Sequence, residues 1–421
     1  LFDVVVIGAG AAGLLAAAVA GERGRRTLLL EKNRRPGVKI LMSGGTRCNL
    51  TQATDKWGII RAYREQGEFL HSALAALSPA DLVKLIEDEG VPTKVEETGK
   101  VFPVSNRATD VLEALMLRLA RSGAELALDA PVTAIERSEA GFVIHRRAQA
   151  PREGSASPCE TTTTAASRVI LTTGGKSYPG SGTTGDGYAW AAALGHTIVP
   201  PRPALVPLVI DEQWVKQLSG VTVQDVVLSI ISPDAKKPLD TRRGSLLFTH
   251  FGLSGPVAMD ISRTVTAAAD QKSLEVVLDF LPDLRLDQLD ARVRDTAARE
   301  GKRQIAGWLI PELPNRLVEQ LLTLTGLPES LKAAELSREC RTAIICMLKG
   351  ATVPITGTRG FAQAEVTAGG VTLAQIDSRT MQSKLVPGLH IAGEILDLDG
   401  PIGGYNFQAA FSTGYLAGMS V

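Results

Sequence analysis

The chain has 421 residues, more than one ordinary hydrophobic core accommodates, so two or three domains are expected. Lys plus Arg and Asp plus Glu both number 45, so a formal charge of zero gives no electrostatic reason to expect nucleic acid or an anionic membrane as partner. The four cysteines (Cys48, Cys159, Cys340, Cys346) lack metal-ligand spacing and the five histidines form no HExxH, which reads as reduced thiols in a cytoplasmic protein without a metal site.

Val4 to Ala20 is apolar enough to mimic a signal or anchor. Asp3 ahead of it and the glycines at 8, 10 and 13 fit a strand and a glycine-opened helix better, and no other stretch reads as a membrane span. Val4-Val5-Val6-Ile7 is a buried-strand run, Leu14 to Arg23 an alanine-rich helix, and Thr27 to Leu30 the second strand. Residues 32–52 read as a loop, and 68–90 and 108–122 as helices. An antiparallel excursion follows at 131–136, 141–146 and 168–173, with Arg147 to Ala166 as a flexible hairpin loop. The prolines at 200, 201, 203 and 207 mark a boundary, beyond which 205–280 is strand-like and 286–349 mainly helical. The last residues return to strand, glycine loop and a final helix from about Tyr405. The expected organisation is α/β: a Rossmann-like dinucleotide-binding domain (1–200 and 355–421) split by an inserted β-rich domain (201–285 and 350–354) with a helical subdomain at 286–349.

The strongest motif is Gly8-Ala9-Gly10-Ala11-Ala12-Gly13. Alone a GxGxxG is weak. Here it follows a strand, opens a helix, and precedes a second strand that ends at Glu31. Gly8 permits the tight turn, Gly10 admits a pyrophosphate, and Gly13 lets helix and strand pack; Glu31 would bind ribose hydroxyls. NAD and FAD share this fingerprint. The strand Leu389 to Ala392, the turn Gly393-Glu394 and the helix start at Tyr405, Asn406 and Phe407 offer a second, distant contact, which fits the longer FAD with its ring at the last helix. Gly180 to Gly185 also spells GxGxxG, but the preceding strand ends too early and no acidic residue follows at the ribose spacing. It reads as a substrate-side or flavin-side loop with Asp186 capping the next helix.

Several further segments resemble the BaiN-type FAD-dependent oxidoreductases over nearly the whole chain. They are Lys39 to Thr51 (KILMSGGTRCNLT), Val101-Phe102-Pro103, Thr173 to Pro179 (TGGKSYP), Thr184 to Gly187, Phe248 to Pro256 (FTHFGLSGP), and Gly393-Glu394 through Asn406. The resemblance implies a split FAD-binding domain with an inserted β-barrel-like domain and a helical domain nested within it. It implies FAD contacts at Gly8, Gly10, Ala11, Ala12, Gly13, Glu31, Lys32, Lys39, Ser43, Gly44, Gly45, Arg47, Cys48, Asn49, Val132, Thr173, Gly174, Gly393, Glu394, Asn406 and Phe407. Lys39 and Arg47 would offset phosphate charge, and Val132 would pair its backbone with adenine. Thr46 stands where the family usually has a third small residue, and Gln382 where it usually has Glu.

Three residues are candidates for the chemistry. Arg47 is a phosphate contact, a substrate anchor or a structural ion pair. Tyr178 is a proton donor or a packing residue of its loop. His250 is a proton donor or a structural turn histidine. Cys48 reads as a small buried residue beside the flavin rather than a redox thiol. The expected activity is hydride transfer from NAD(P)H through FAD to an unsaturated or carbonyl small molecule. The alternatives are a flavin-based redox sensor or partner protein, and an RNA-modifying flavoprotein, against which the neutral charge argues.

Overall fold

The computed structural model describes residues 1–147, 161–305, 310–328 and 331–421. Two compact units emerge: Leu1–Arg202 with Val366–Val421, and Pro203–Glu365. The return to the first unit therefore falls at Val366 rather than 355, because Gly357–Thr358 pairs with Leu208–Val209 and keeps that segment in the second unit.

The first unit is built on the strand Phe2–Ile7, whose last residues Val4 to Ile7 are buried on both faces. Thr27–Leu30 pairs parallel on one side of it and Thr161–Leu171 parallel on the other. Such doubly buried strands lose their alternation and become continuous apolar runs. Thr161–Leu171 is the pivot of the sheet. Its first half pairs antiparallel with Gly141–Arg147, and its second half pairs parallel with Leu389–Ile391. Val132–Ser138 is the outermost strand of that antiparallel excursion. The loop expected from Arg147 to Ala166 is shorter than that: Thr161 to Ala166 is strand, and residues 148–160 lie outside the described residues. Threonine at four successive positions is a β-branched run that favours extended backbone, which the Thr/Ser-rich composition obscured.

The helix Ala11–Glu22 is buried continuously from Ala11 to Ala20. Its alanines are required by contacts on two sides. A Cβ at Gly13 would lie 1.8 Å from the Gly8 carbonyl oxygen, so helix and first strand meet almost backbone to backbone. On the other side the closing helix Tyr405–Met419 packs through Gly414 and Gly418, where a Cβ would come within 2.3 and 2.5 Å of the Ala12 and Ala16 carbonyl oxygens.

Two expectations about helices change. Residues 68–90 are not one helix: Ser78, extended and capping Pro79–Asp88, separates it from His71–Ala76. The stretch Arg64–Asp88 is long enough for a membrane span and contains an 18-residue window of mean hydropathy 1.3, which the sequence reading did not notice. It is broken at Leu77 and Ser78 and carries Glu65, Glu68, Asp81, Lys84, Glu87 and Asp88. Within 32–52, Val38–Thr46 is helical at its start and then turns left-handed at Gly44, Gly45 and Thr46.

The second unit holds a seven-stranded antiparallel sheet in the order Ala351–Pro354, Glu275–Asp279, Thr222–Ile231, Asp240–Thr249, Gly252–Ser254, Leu208–Val209 and Gly357–Thr358. Alternate residues Val226, Leu228 and Ile230 enter a core shared with helices Leu286–Arg299, Asn315–Leu324 and Arg338–Gly350. The strand-like reading of 205–280 missed the helix Pro256–Ala267, which buries Val257, Ala258, Ile261 and Val265 at helical spacing behind an N-terminal proline.

His390 is the one histidine in the strand Leu389–Ile391. It is 1% exposed, and neither ring nitrogen has a hydrogen-bond partner among the described residues. Burial depresses its pKa from 6.5 to about 4, opposed by contact with the Gly388 backbone and reinforced by Arg168. The unfolded chain therefore binds more protons than the folded one between those values, and stability present above pH 6.5 is lost as pH falls toward 4. Denaturant unfolding at several pH values should register a loss of up to about 3 kcal/mol across this window. His390→Leu should remove that component and cost little stability at neutral pH, because the ring makes no more than a weak contact with the Gly388 backbone. An unchanged pH slope in the variant would assign the acid sensitivity elsewhere.

Candidate functional site

The carboxyl ends of Phe2–Ile7, Thr161–Leu171 and Leu389–Ile391 lie side by side. In parallel sheets this edge is where ligands bind. The Gly8–Gly13 turn is tied to it by Thr172, whose hydroxyl donates to the Ile7 and Gly8 carbonyls at 3.0 Å. Gly8 has φ +104, and a Cβ there would stand 2.6 Å from the Thr172 carbonyl oxygen. Gly10 caps the first helix without any side-chain hydrogen bond to the helix amides, and the first turn holds no acidic residue. A Cβ on Gly10 would meet nothing within 4 Å among the described residues beyond its own chain neighbours. The positive end of the helix thus opens on free space, the arrangement that receives a pyrophosphate.

Glu31 is 8% exposed, and its two oxygens accept the Ala9 and Asn33 amides, each at 2.8 Å. A carboxylate oxygen has capacity for a second donor, so ribose hydroxyls can still be bound. Lys32 is committed to Thr184 at 2.5 Å and Asp186 at 2.6 Å. Asp186 is therefore an ion-pair partner, not the helix cap expected of it; Gly185 occupies the cap position of Asp186–Ala193.

Lys39 bonds Ser177 at 2.7 Å and Glu394 at 2.6 Å. The other Glu394 oxygen accepts the Ser177 hydroxyl at 2.7 Å and the Thr367 amide at 2.9 Å. Lys39 and Glu394 thus hold each other. Arg47 pairs with Glu96 at 2.6 Å and lies over the Phe102 ring at 4.0 Å. Of its readings, the structural ion pair is what the geometry displays. Cys48 is fully buried, and burial pushes its thiol up to about 12, only partly offset by its hydrogen bond with Ser43. It is a neutral packing group, with no thiolate for redox work. Asn49 is 8% exposed, and its Oδ1 has no partner among the described residues; the same holds for the buried Thr173 hydroxyl. The unpaired Thr173 hydroxyl, just past the carboxyl end of Thr161–Leu171, fits a bound polar ligand at this edge.

Gly174 and Gly393 both have left-handed backbones, and the Gly393 amide donates to the Thr413 hydroxyl at 3.0 Å. Ala11 and Ala12 line the helix start, and Gly45 faces open space while Gly44 packs on Phe102. Asn406 does not point freely outward: its side chain accepts the Gly400 amide and donates to the Gly400 carbonyl, both at 2.9 Å. It ties the glycine loop to the closing helix, whose first intrahelical bond is from Gln408 to Gly404, leaving the Phe407 amide ahead of it. Val132 pairs its backbone with Arg146 at the outer edge of the sheet. Tyr178 sits in the loop after Thr161–Leu171, and its residue is 41% exposed. His250 is in the second unit, exposed in a turn and edge-on to Phe251 at 5.0 Å. Sequence reading missed Thr172, Ser177 and Thr367 as organisers of this site. The TTGG segment carries a signal for Thr172; nothing in the sequence marks Thr367.

The residues fit FAD: an uncapped helix start, space at Gly10, an acid at the end of the second strand, and the unpaired Thr173 hydroxyl at the sheet edge. Fold and site define an FAD-dependent oxidoreductase of the Rossmann type. The chain belongs to the family described as HI0933-like protein Rossmann domain, whose model matches residues 2–420, in keeping with the BaiN-type resemblance. It is 34% identical over 419 residues to the ribosomal RNA dihydrouridine synthase of Escherichia coli (strain K12), covering 98% of this chain and 96% of that protein. It is 31% identical to the 3-dehydro-bile acid delta(4,6)-reductase of Clostridium scindens, covering 99% and 98% of the two chains. In fold it is similar to the 3-ketosteroid-delta4-(5alpha)-dehydrogenase from Rhodococcus jostii RHA1, with a TM-score of 0.50 at 16% identity and coverage of 100% and 96%.

Gly10 and Gly13 separate ligand binding from folding. Gly10→Val has room in the protein itself and should purify folded but colourless, because its side chain fills the pyrophosphate space. Gly13→Ala should fail to fold, since its Cβ would overlap the Gly8 carbonyl oxygen. A yellow Gly10→Val protein at normal stoichiometry would overturn the assignment. Glu31→Ala should weaken FAD binding by about 1–3 kcal/mol in titrations of the apoprotein.

Proposed function

We propose that this protein uses FAD to reduce a carbon–carbon double bond conjugated to a carbonyl, with a uracil ring of ribosomal RNA as the favoured substrate. The observation that carries the cofactor half is the open, uncapped helix start at Gly10. There the Ala11 and Ala12 amides meet the pyrophosphate and Glu31 the ribose. The Val132 backbone meets adenine. The Ser43 to Asn49 turn, Thr173-Gly174 and Gly393-Glu394 line the middle of the cofactor, and the Asn406-Phe407 helix start faces its ring. Lys32, Lys39 and Arg47 act at one remove, each fixing a loop through an acidic partner. When bound, FAD supplies two-electron transfer, with NAD(P)H as the proposed transient donor.

The substrate half rests on what the two named relatives have in common. Making dihydrouridine saturates the uracil C5–C6 bond, which is conjugated to the C4 carbonyl. A delta(4,6) reductase of a 3-dehydro bile acid acts on bonds conjugated to a ring ketone. In both acceptors the carbonyl makes a conjugated carbon electrophilic toward hydride, the β-carbon in uracil and the β- or δ-carbon in the dienone, and the resulting enolate takes a proton. The RNA relative is the more similar of these two in sequence, 34% against 31%, and the steroid acceptor is the second reading. With zero formal charge, RNA would be held by local contacts rather than by the field of the whole protein.

The test is anaerobic. NADH or NADPH should bleach the flavin of the FAD-loaded protein. The reduced protein should then convert uridine to dihydrouridine in unmodified ribosomal RNA transcripts, read by mass spectrometry of digested nucleosides as a gain of two hydrogens. A 3-oxo-delta(4,6) steroid is offered in parallel. Reduced flavin that persists in the presence of both acceptors would sink the proposal; oxidation by the steroid alone would move the substrate to the second reading.

A further inference from the structure

We propose that Tyr178 is the acid that protonates the α-carbon of the substrate, and that the loop from Gly174 to Gly185 is built to hold its ring outward for that purpose. This rests on the reductase reading above.

The argument begins with the backbone. Tyr178 has φ +53 and ψ +64, the left-handed region, which is unusual for a bulky residue. Pro179 follows it, and a proline pushes the residue before it toward extended backbone. Eight non-glycine residues have positive φ among those described, and Tyr178 alone of them precedes a proline. Strain of this kind persists only where its surroundings impose it.

The surroundings do impose it. The Tyr178 carbonyl accepts the Ser181 amide and the Ser181 hydroxyl, both at 2.9 Å. The Thr183 hydroxyl bonds the neighbouring Ser177 carbonyl. Asn33 donates to the Ser181 carbonyl at 3.1 Å, and Gly182 lies so close to Asn33 that a Cβ would stand 2.3 Å from its amide nitrogen. Lys32 pins the far end through Thr184 and Asp186. One residue before the tyrosine, the Ser177 side chain is fixed to Lys39 and Glu394.

All this anchoring stabilises the loop, yet the phenol gains nothing from it. The residue is 41% exposed, and its hydroxyl makes no hydrogen bond among the described residues. A residue strained for packing would be buried. This one lies in the loop that follows the carboxyl end of Thr161–Leu171, with its ring open to solvent. Arg47 is held by Glu96 and Phe102, whereas the phenol of Tyr178 has no partner among the described residues and follows directly on Ser177, which joins Lys39 and Glu394.

The step balances. FAD, when bound and reduced, would supply the hydride for a C–H bond at the β-carbon, leaving the double-bond electrons on the enolate. The enolate α-carbon takes the phenolic proton as the Tyr178 O–H bond breaks. The phenolate recovers a proton from water, to which the exposed ring has access.

Two variants test this. Tyr178→Phe in the FAD-loaded protein, reduced with dithionite, should keep its FAD content and melting temperature. Its flavin reoxidation by the ribosomal RNA transcript or the 3-oxo-delta(4,6) steroid should slow by about 10²–10⁴-fold. Tyr178→Gly should lose the same activity and melt at a higher temperature, because glycine accepts the left-handed backbone that tyrosine does not. Unimpaired reoxidation in Tyr178→Phe would overturn the assignment, as would loss of FAD from that variant. A lower melting temperature for Tyr178→Gly would mean that the ring serves packing instead. If neither acceptor reoxidises the unaltered protein, the reductase reading fails first and the role of Tyr178 falls with it.

Discussion

The first unit depends on one constraint: the helix Ala11–Glu22 must approach a neighbour at backbone distance on each of two sides. Gly13 permits the approach to the Gly8 turn, and Gly414 and Gly418 permit the approach of the closing helix. The alanines between them leave no side chain to hold the layers apart. The start of this helix is the electropositive end that opens at Gly10. Its position is therefore set by residues some four hundred positions apart, and a methyl group at any of these three glycines would displace it. Close packing at this level transmits small volume changes directly.

The charged groups of the site follow a second rule. Lys32, Lys39 and Arg47 are each consumed by a carboxylate: Asp186, Glu394 and Glu96. Negative charge at the Gly10 opening thus meets backbone amides rather than a mobile cation. Amides fixed in a helix start need little reorganisation to receive it, whereas a free lysine would have to be desolvated and ordered. The lysines contribute by holding loops, and the Lys39 pair brings together the chain at 39, 177, 367 and 394.

The same pairs explain what was legible in the sequence. The glycine fingerprint, Glu31 and the closing helix could be read because each is a local pattern: a strand run, a turn spacing, a helix start. The roles of the three cations could not, because their partners stand 154, 355 and 49 residues away. Asp186 reads as a helix cap by its position alone, and only Lys32 gives it other work. The helix Pro256–Ala267 was hidden for a different reason. It lies between β-branched strands, and its spacing of buried residues is masked by threonines and valines that suit either structure. Tyr178 was visible as a candidate by its residue type, but its left-handed backbone was not, since proline after it argues for the opposite.

The split of the first unit imposes an order in time. A ribosome releases Phe2–Ile7 and Ala11–Glu22 early, but the strand Leu389–Ile391 and the helix Tyr405–Met419 that complete their packing emerge some 370 residues later. At about 5–20 residues per second, that interval lasts tens of seconds. Throughout it the alanine-rich helix has no partner on one side, and the carboxyl half of the long strand Thr161–Leu171 is paired on one side only, with Phe2–Ile7. Residues 203–365 are continuous in the chain and have their own core, so they can fold while the earlier residues wait. The nascent chain thus carries an open sheet edge beside a finished domain, the situation in which chaperones are engaged. The packing around Ala11–Glu22 is complete only once the helix Tyr405–Met419 has docked on it.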